Sequence, residues 1–135
     1  MDRSLYKISN VNRMDPFLMT ITSGEDHWMY LSSTGCLTAG RKKAEYALFP
    51  YVTDDLLHRN AHFTGPVTVI RINDDDKNLV WRPFSPYKES YEKEWNLHKN
   101  SLGDIVIFEE INHSLGLTFL YKWQSSAKYG FVRKS

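Results

Sequence analysis

Asp104-Ile-Val-Ile-Phe-Glu-Glu-Ile-Asn-His-Ser-Leu-Gly-Leu-Thr-Phe-Leu-Tyr-Lys-Trp123 is the stretch that decides the fold. It reads as two strands folded back on each other around Asn112-His113-Ser114. In the second strand Leu115, Leu117, Phe119, Tyr121 and Trp123 share one face, the period-2 pattern of a strand. The first strand, from Ile105 to Ile111, is apolar on both faces at its start and turns polar at Glu109 and Glu110. A strand covered on both faces belongs inside a layered structure.

Outward from that hairpin, hairpin signals recur along the chain. Phe17-Leu-Met-Thr-Ile-Thr22 and His27-Trp-Met-Tyr-Leu-Ser32 flank the turn chemistry of Ser23-Gly24-Glu25-Asp26. Val67 to Ile72 and Leu79 to Phe84 flank a polar tip at Asn73 to Asn78, and Pro83 ends the return strand or places it at an edge. Tyr91, Lys93, Trp95 and Leu97 alternate with Glu92, Glu94, Asn96 and His98, the pattern of a half-buried strand with a polar outer face. A last strand opens at Tyr129-Gly-Phe-Val-Arg133. Between Ser33 and Thr64 no convincing strand appears. That excursion holds a small, glycine-bearing loop from Ser33 to Arg41, one or two helical turns within Lys42 to Leu48, and a helix N-cap at Thr53-Asp54-Asp55. Residues 1 to 16 read as an irregular arm with a short strand at Leu5 to Ile8. The expectation is an all-β chain, a mostly antiparallel β-sandwich (supersandwich-like) of eight or nine strands with little helix.

A chain of 135 residues suits one domain, 1–135, with a sizeable core. The net charge of +1 comes from interspersed basic and acidic side chains, and no basic stripe offers a nucleic-acid footprint. No run approaches the roughly 20 apolar residues of a membrane helix. The single cysteine, Cys36, excludes an internal disulfide and leans the expected compartment toward the cytoplasm. Aromatic residues make up 14% of the chain. Most such rings fill β cores, but the same rings also stack on flat ligands such as sugars.

Several constellations could carry chemistry. Asp74-Asp75-Asp76 lacks the Gly and Glu of a calcium loop at the required positions and reads as a solvated hairpin tip. His58 and His62 share a helical spacing, but Arg59 stands where a zinc protease has Glu. Cys36 would need a positioned base to act as a nucleophile. Glu109 and Glu110 invite a glycosidase reading, yet neighbours on a strand point to opposite faces and cannot flank one bond. No cofactor and no metal is expected. The richest stretch runs from Trp28 to Asp55. It gathers Trp28, Arg41, Tyr51, Asp54 and Asp55, an aromatic face and charged groups of the kind that sugar recognition uses. The plainer alternative is a structural flap in which Arg41 pairs with Asp54 or Asp55.

Ile107-Phe-Glu-Glu-Ile-Asn-His-Ser-Leu-Gly-Leu-Thr-Phe119 and Tyr129-Gly-Phe-Val-Arg133 resemble strands in the N-terminal β-sandwich of bacterial, cellobiose phosphorylase-like carbohydrate-active enzymes. The loop Ser33-Thr-Gly-Cys-Leu-Thr-Ala-Gly-Arg41 is similar to loops of the same group. The resemblance covers a third of the chain. It implies a longer parent protein, a glycoside phosphorylase or hydrolase, in which a catalytic barrel of paired helices follows the sandwich. The catalytic acid of that group lies on the barrel, so this chain would be non-catalytic. It would contribute to carbohydrate binding, cleft shaping or assembly, including contacts between copies. The alternative is a free-standing domain that binds a protein partner through Ser33 to Thr64.

Overall fold

The computed structural model describes residues 4–59, 64–74, 77–87 and 90–135. Eleven strands are described: β1 (Leu5–Ile8), β2 (Leu18–Ile21), β3 (His27–Ser32), β4 (Leu37–Arg41), β5 (Ala47–Phe49), β6 (Ile70–Asp74), β7 (Lys77–Trp81), β8 (Lys93–Asn100), β9 (Ile105–Asn112), β10 (Leu117–Ser126) and β11 (Gly130–Lys134). One six-residue helix, α1 (Asp54–Arg59), and two single 3-10 turns complete the list. Every strand pair is antiparallel. A five-stranded sheet has the order β1-β8-β9-β10-β11, a four-stranded sheet the order β2-β3-β4-β5, and β6 pairs with β7 alone. The all-β, antiparallel reading of the sequence is the architecture found.

The opening hairpin forms the centre of the large sheet. Phe108 pairs with Tyr121 and Val106 with Trp123 across β9 and β10. Directly opposite residues share a face, so these four project together and meet Leu97 and Trp95 of β8. The small sheet answers with Met19, Ile21, Met29, Leu31, Leu37 and Ala39, and the two sets make one buried cluster. Removing each large apolar side chain of that cluster from water contributes roughly 1.5–3 kcal/mol. Phe84 enters the cluster from the loop after β7, edge-on to Phe108 and Tyr121 at centroid distances of 6.1 and 5.4 Å.

The stretch from Ser33 to Thr64 departs from the strand-poor expectation. It holds β4 and β5, which complete the small sheet, and α1. Leu37-Thr-Ala-Gly carries few branched or aromatic residues, so its strand signal is weak. It is nonetheless buried throughout, because larger neighbours cover it. The Trp28 ring lies across Gly40 so closely that a Cβ there would come within 2.4 Å of Trp28 Cζ2.

The open edge of β8 beyond β1 is closed by side chains. Asn12 Oδ1 accepts the Trp95 backbone N–H at 3.2 Å, and Asn12 Nδ2 donates to the Lys93 carbonyl at 3.3 Å. One amide thus takes the place of a strand neighbour. The turn leading there uses Asn10 at φ 57°, a left-handed conformation that Asn tolerates.

Candidate functional site

Alternation along the small sheet decides which of the sequence-derived site residues meet. Met29 and Leu31 face the core, so Trp28, Tyr30 and Ser32 face outward on β3, with Leu18 opposite Ser32 on β2. The segment after β5 folds over this outer face. Its helix α1 follows Thr53, whose carbonyl accepts the Leu57 N–H at 2.8 Å. Leu57 is fully buried, and His58 Nδ1 stands 2.8 Å from Ser32 Oγ, which together fix the helix to β3.

The result is an open cleft of about 250 Å³ lined by Leu18, Tyr30, Tyr51, Val52, Thr53 and Leu57. Trp28 backs it, with its ring 6.0 Å from Tyr51 in an edge-on arrangement and 6.1 Å from Tyr30. Tyr51 is 59% exposed, so its ring is open to a ligand. A volume near the lower end for small-molecule sites, roughly 300–1,000 Å³, suits one or two ring-sized units.

Trp28 and Tyr51 are therefore brought together, and Tyr30 joins them. Sequence reasoning passed over Tyr30, although its position two residues after Trp28 in a strand puts both on one face. Arg41 is separated from them. It pairs with His27, whereas Trp28 pairs with Gly40, so Arg41 projects from the other side of β4. It lines a different groove of about 210 Å³ with His27, Tyr46, Leu48, Tyr129 and Phe131. Asp55 is held by the start of α1. The Thr53 hydroxyl donates to its Oδ1 at 2.7 Å, and that bond, followed by the Leu56 backbone N–H, keeps its carboxyl below the ordinary carboxylate range. The side chain of Asp54 lies outside the described residues, as do Asp75, Asp76 and His62.

Cys36 is fully buried, with the Thr34 hydroxyl 3.8 Å from its sulfur, and burial pushes its thiol up. That environment disfavours a thiolate nucleophile. Among the described residues no three His, Cys, Asp or Glu side chains converge as a metal site. Nor, among them, is any helix long and apolar enough to cross a membrane.

Glu109 and Glu110 do point to opposite faces, with an unforeseen consequence for each. Glu110 is fully buried, not a polar strand end. Glu109 joins a charged cluster on the outer face of the large sheet. Asn96 Nδ2 donates to Glu94 Oε1 and to Glu109 Oε2, both at 2.8 Å, and Lys7 Nζ lies 3.9 and 3.8 Å from the same two oxygens. His98 stands 3.5 Å from Glu109, and His113 3.6 Å from Glu94. Asn96, expected on a polar outer face, is completely covered by this cluster. Lys7 on β1 thereby clamps the edge strand to β8 and β9.

No protein-family model matches this chain, and no curated protein sequence matches it.

Proposed function

We propose that this chain is a non-catalytic β-sandwich of a glycoside-processing protein, and that its cleft on the small sheet binds carbohydrate. The observation that carries this reading is the grouping of Tyr30, Tyr51 and Trp28 around an open cleft with a threonine hydroxyl at its wall. A sugar presents an apolar C–H face to a ring and hydroxyls to polar neighbours, and Tyr supplies both kinds of contact in one side chain. Thr53 and the phenol groups supply hydrogen bonds, while the ionised Asp55 lies one bond beyond Thr53.

The same reading includes the cellobiose phosphorylase-like motifs around Ile107 to Phe119 and Tyr129 to Arg133. In such a parent the sandwich would shape a substrate cleft beside a helical catalytic barrel. The second groove supports the assembly part of this role, since Tyr46, Leu48 and Tyr129 stand exposed around Arg41. Exposed aromatics with an arginine are typical of protein contacts. Isothermal titration with a panel of gluco-oligosaccharides tests the sugar reading. Saturable heat with at least one of them is expected, and none with any would remove it.

A further inference from the structure

A third, smaller pocket of about 60 Å³ lies where the β6–β7 hairpin meets the sandwich. Thr34, Gly35, Thr68, Arg82, Phe84 and Tyr121 contribute to its wall. Tyr121 is only 4% exposed, and its hydroxyl has no hydrogen-bond partner among the described residues. That hydroxyl packs beside Gly35, where an added Cβ would lie 3.2 Å from it. Gly35 holds φ at +95°, so the wall is built without a side chain at the point the hydroxyl addresses. At the pocket wall that hydroxyl is open to a ligand or water oxygen, to which it can donate.

The surrounding charge chooses between kinds of ligand. The Arg133 guanidinium lies 4.7 Å from the Tyr121 ring centre and donates to Thr68 Oγ1 at 3.2 Å, while its Nε is buried without a partner. Arg82 is exposed at the wall, and among the described residues neither arginine makes an ion pair. Among the described residues no carboxylate side chain lines the pocket. The Glu110 carboxylate lies behind Phe84, taken up by that residue's backbone N–H and by Trp81. Burial also keeps the Tyr121 phenol protonated, so it serves as a donor. The space holds roughly four to six water-sized groups. That is too small for a sugar ring and large enough for a carboxylate or phosphate group.

We propose that this pocket binds a small oxyanion, with the Tyr121 hydroxyl and the Arg82 guanidinium as donors and Arg133 supplying positive charge from beside the ring. It shares no residue with the aromatic cleft and does not depend on sugar binding there. Calorimetric titrations of the whole chain with acetate, and separately with inorganic phosphate, test the proposal at low ionic strength. One-to-one saturable binding of at least one anion is expected. Acetate alone identifies a carboxylate ligand, phosphate alone a phosphorylated one. Tyr121→Phe keeps the ring and removes the donor, and should weaken binding by about tenfold or more. Arg82→Gln, an exposed change that leaves the core untouched, should weaken it by about tenfold. Absence of saturable binding by both anions, or unchanged affinity in both variants, would overturn the proposal.

Discussion

The indole N–H of Trp81 donates to the carboxylate of Glu110 at 2.8 Å, and both side chains are almost wholly withdrawn from solvent. The second carboxylate oxygen accepts the backbone N–H of Phe84, which sits at φ 61°. A positive φ in a bulky aromatic residue is strained and persists only where its surroundings hold it. Glu110 is that hold. It fixes the loop that inserts Phe84 among Trp95, Phe108, Phe119 and Tyr121. Glu110→Ala leaves two donors unsatisfied and should cost about 2–4 kcal/mol in urea unfolding, with Glu110→Gln costing less because one acceptor oxygen survives. An unaltered midpoint in Glu110→Ala would show that the loop is held by packing alone.

Gly40 tests the coupling of the small sheet to the cleft. A methyl group there meets Trp28 Cζ2 at 2.4 Å and the Tyr46 carbonyl at 2.8 Å, and neither is a freely moving chain end. Gly40→Ala should displace the Trp28 ring, destabilise the fold by about 1–3 kcal/mol and shift the tryptophan fluorescence. Unchanged stability and emission would mean that Trp28 is not seated as described.

How far the sequence carries follows from where its signals are local. The hairpin from Asp104 to Trp123 is legible because branched and aromatic residues alternate over many positions. The split of Glu109 from Glu110 follows from strand geometry alone. By contrast, β4 is masked by Thr38, Ala39 and Gly40, small residues whose burial depends on Trp28 and other distant side chains. Because β4 is a strand, Arg41 and Gly40 lie on opposite faces, and Arg41 stands apart from Trp28. The Glu110–Trp81 bond spans 29 positions and two sheets, beyond the reach of any pattern along the chain. In the cleft, Trp28 and Tyr51 were legible as aromatic candidates; their convergence required the fold of α1 onto β3.

The clamp on the large sheet predicts a pH response. The Asn96 amide, then Lys7 and His113, hold the Glu94 carboxyl below its ordinary value of 4.5. Folding therefore favours the ionised form. The stabilisation is present above pH 4.5 and is lost as pH falls through the lower folded value. In thermal unfolding, the advantage of wild type over Glu94→Gln should narrow as pH drops below 4.5. A gap that widens with acid would contradict the assignment.

Under the proposed function, sugar binds at the aromatic cleft and not at the groove around Arg41. The most direct measurement compares Tyr51→Ala and Arg41→Ala by isothermal titration with the gluco-oligosaccharide that wild type binds best. Both residues are exposed, so both variants should fold. Loss of one stacking ring should weaken affinity by about tenfold in Tyr51→Ala, and Arg41→Ala should bind as wild type does. Undiminished binding in Tyr51→Ala, or a loss confined to Arg41→Ala, would contradict the account.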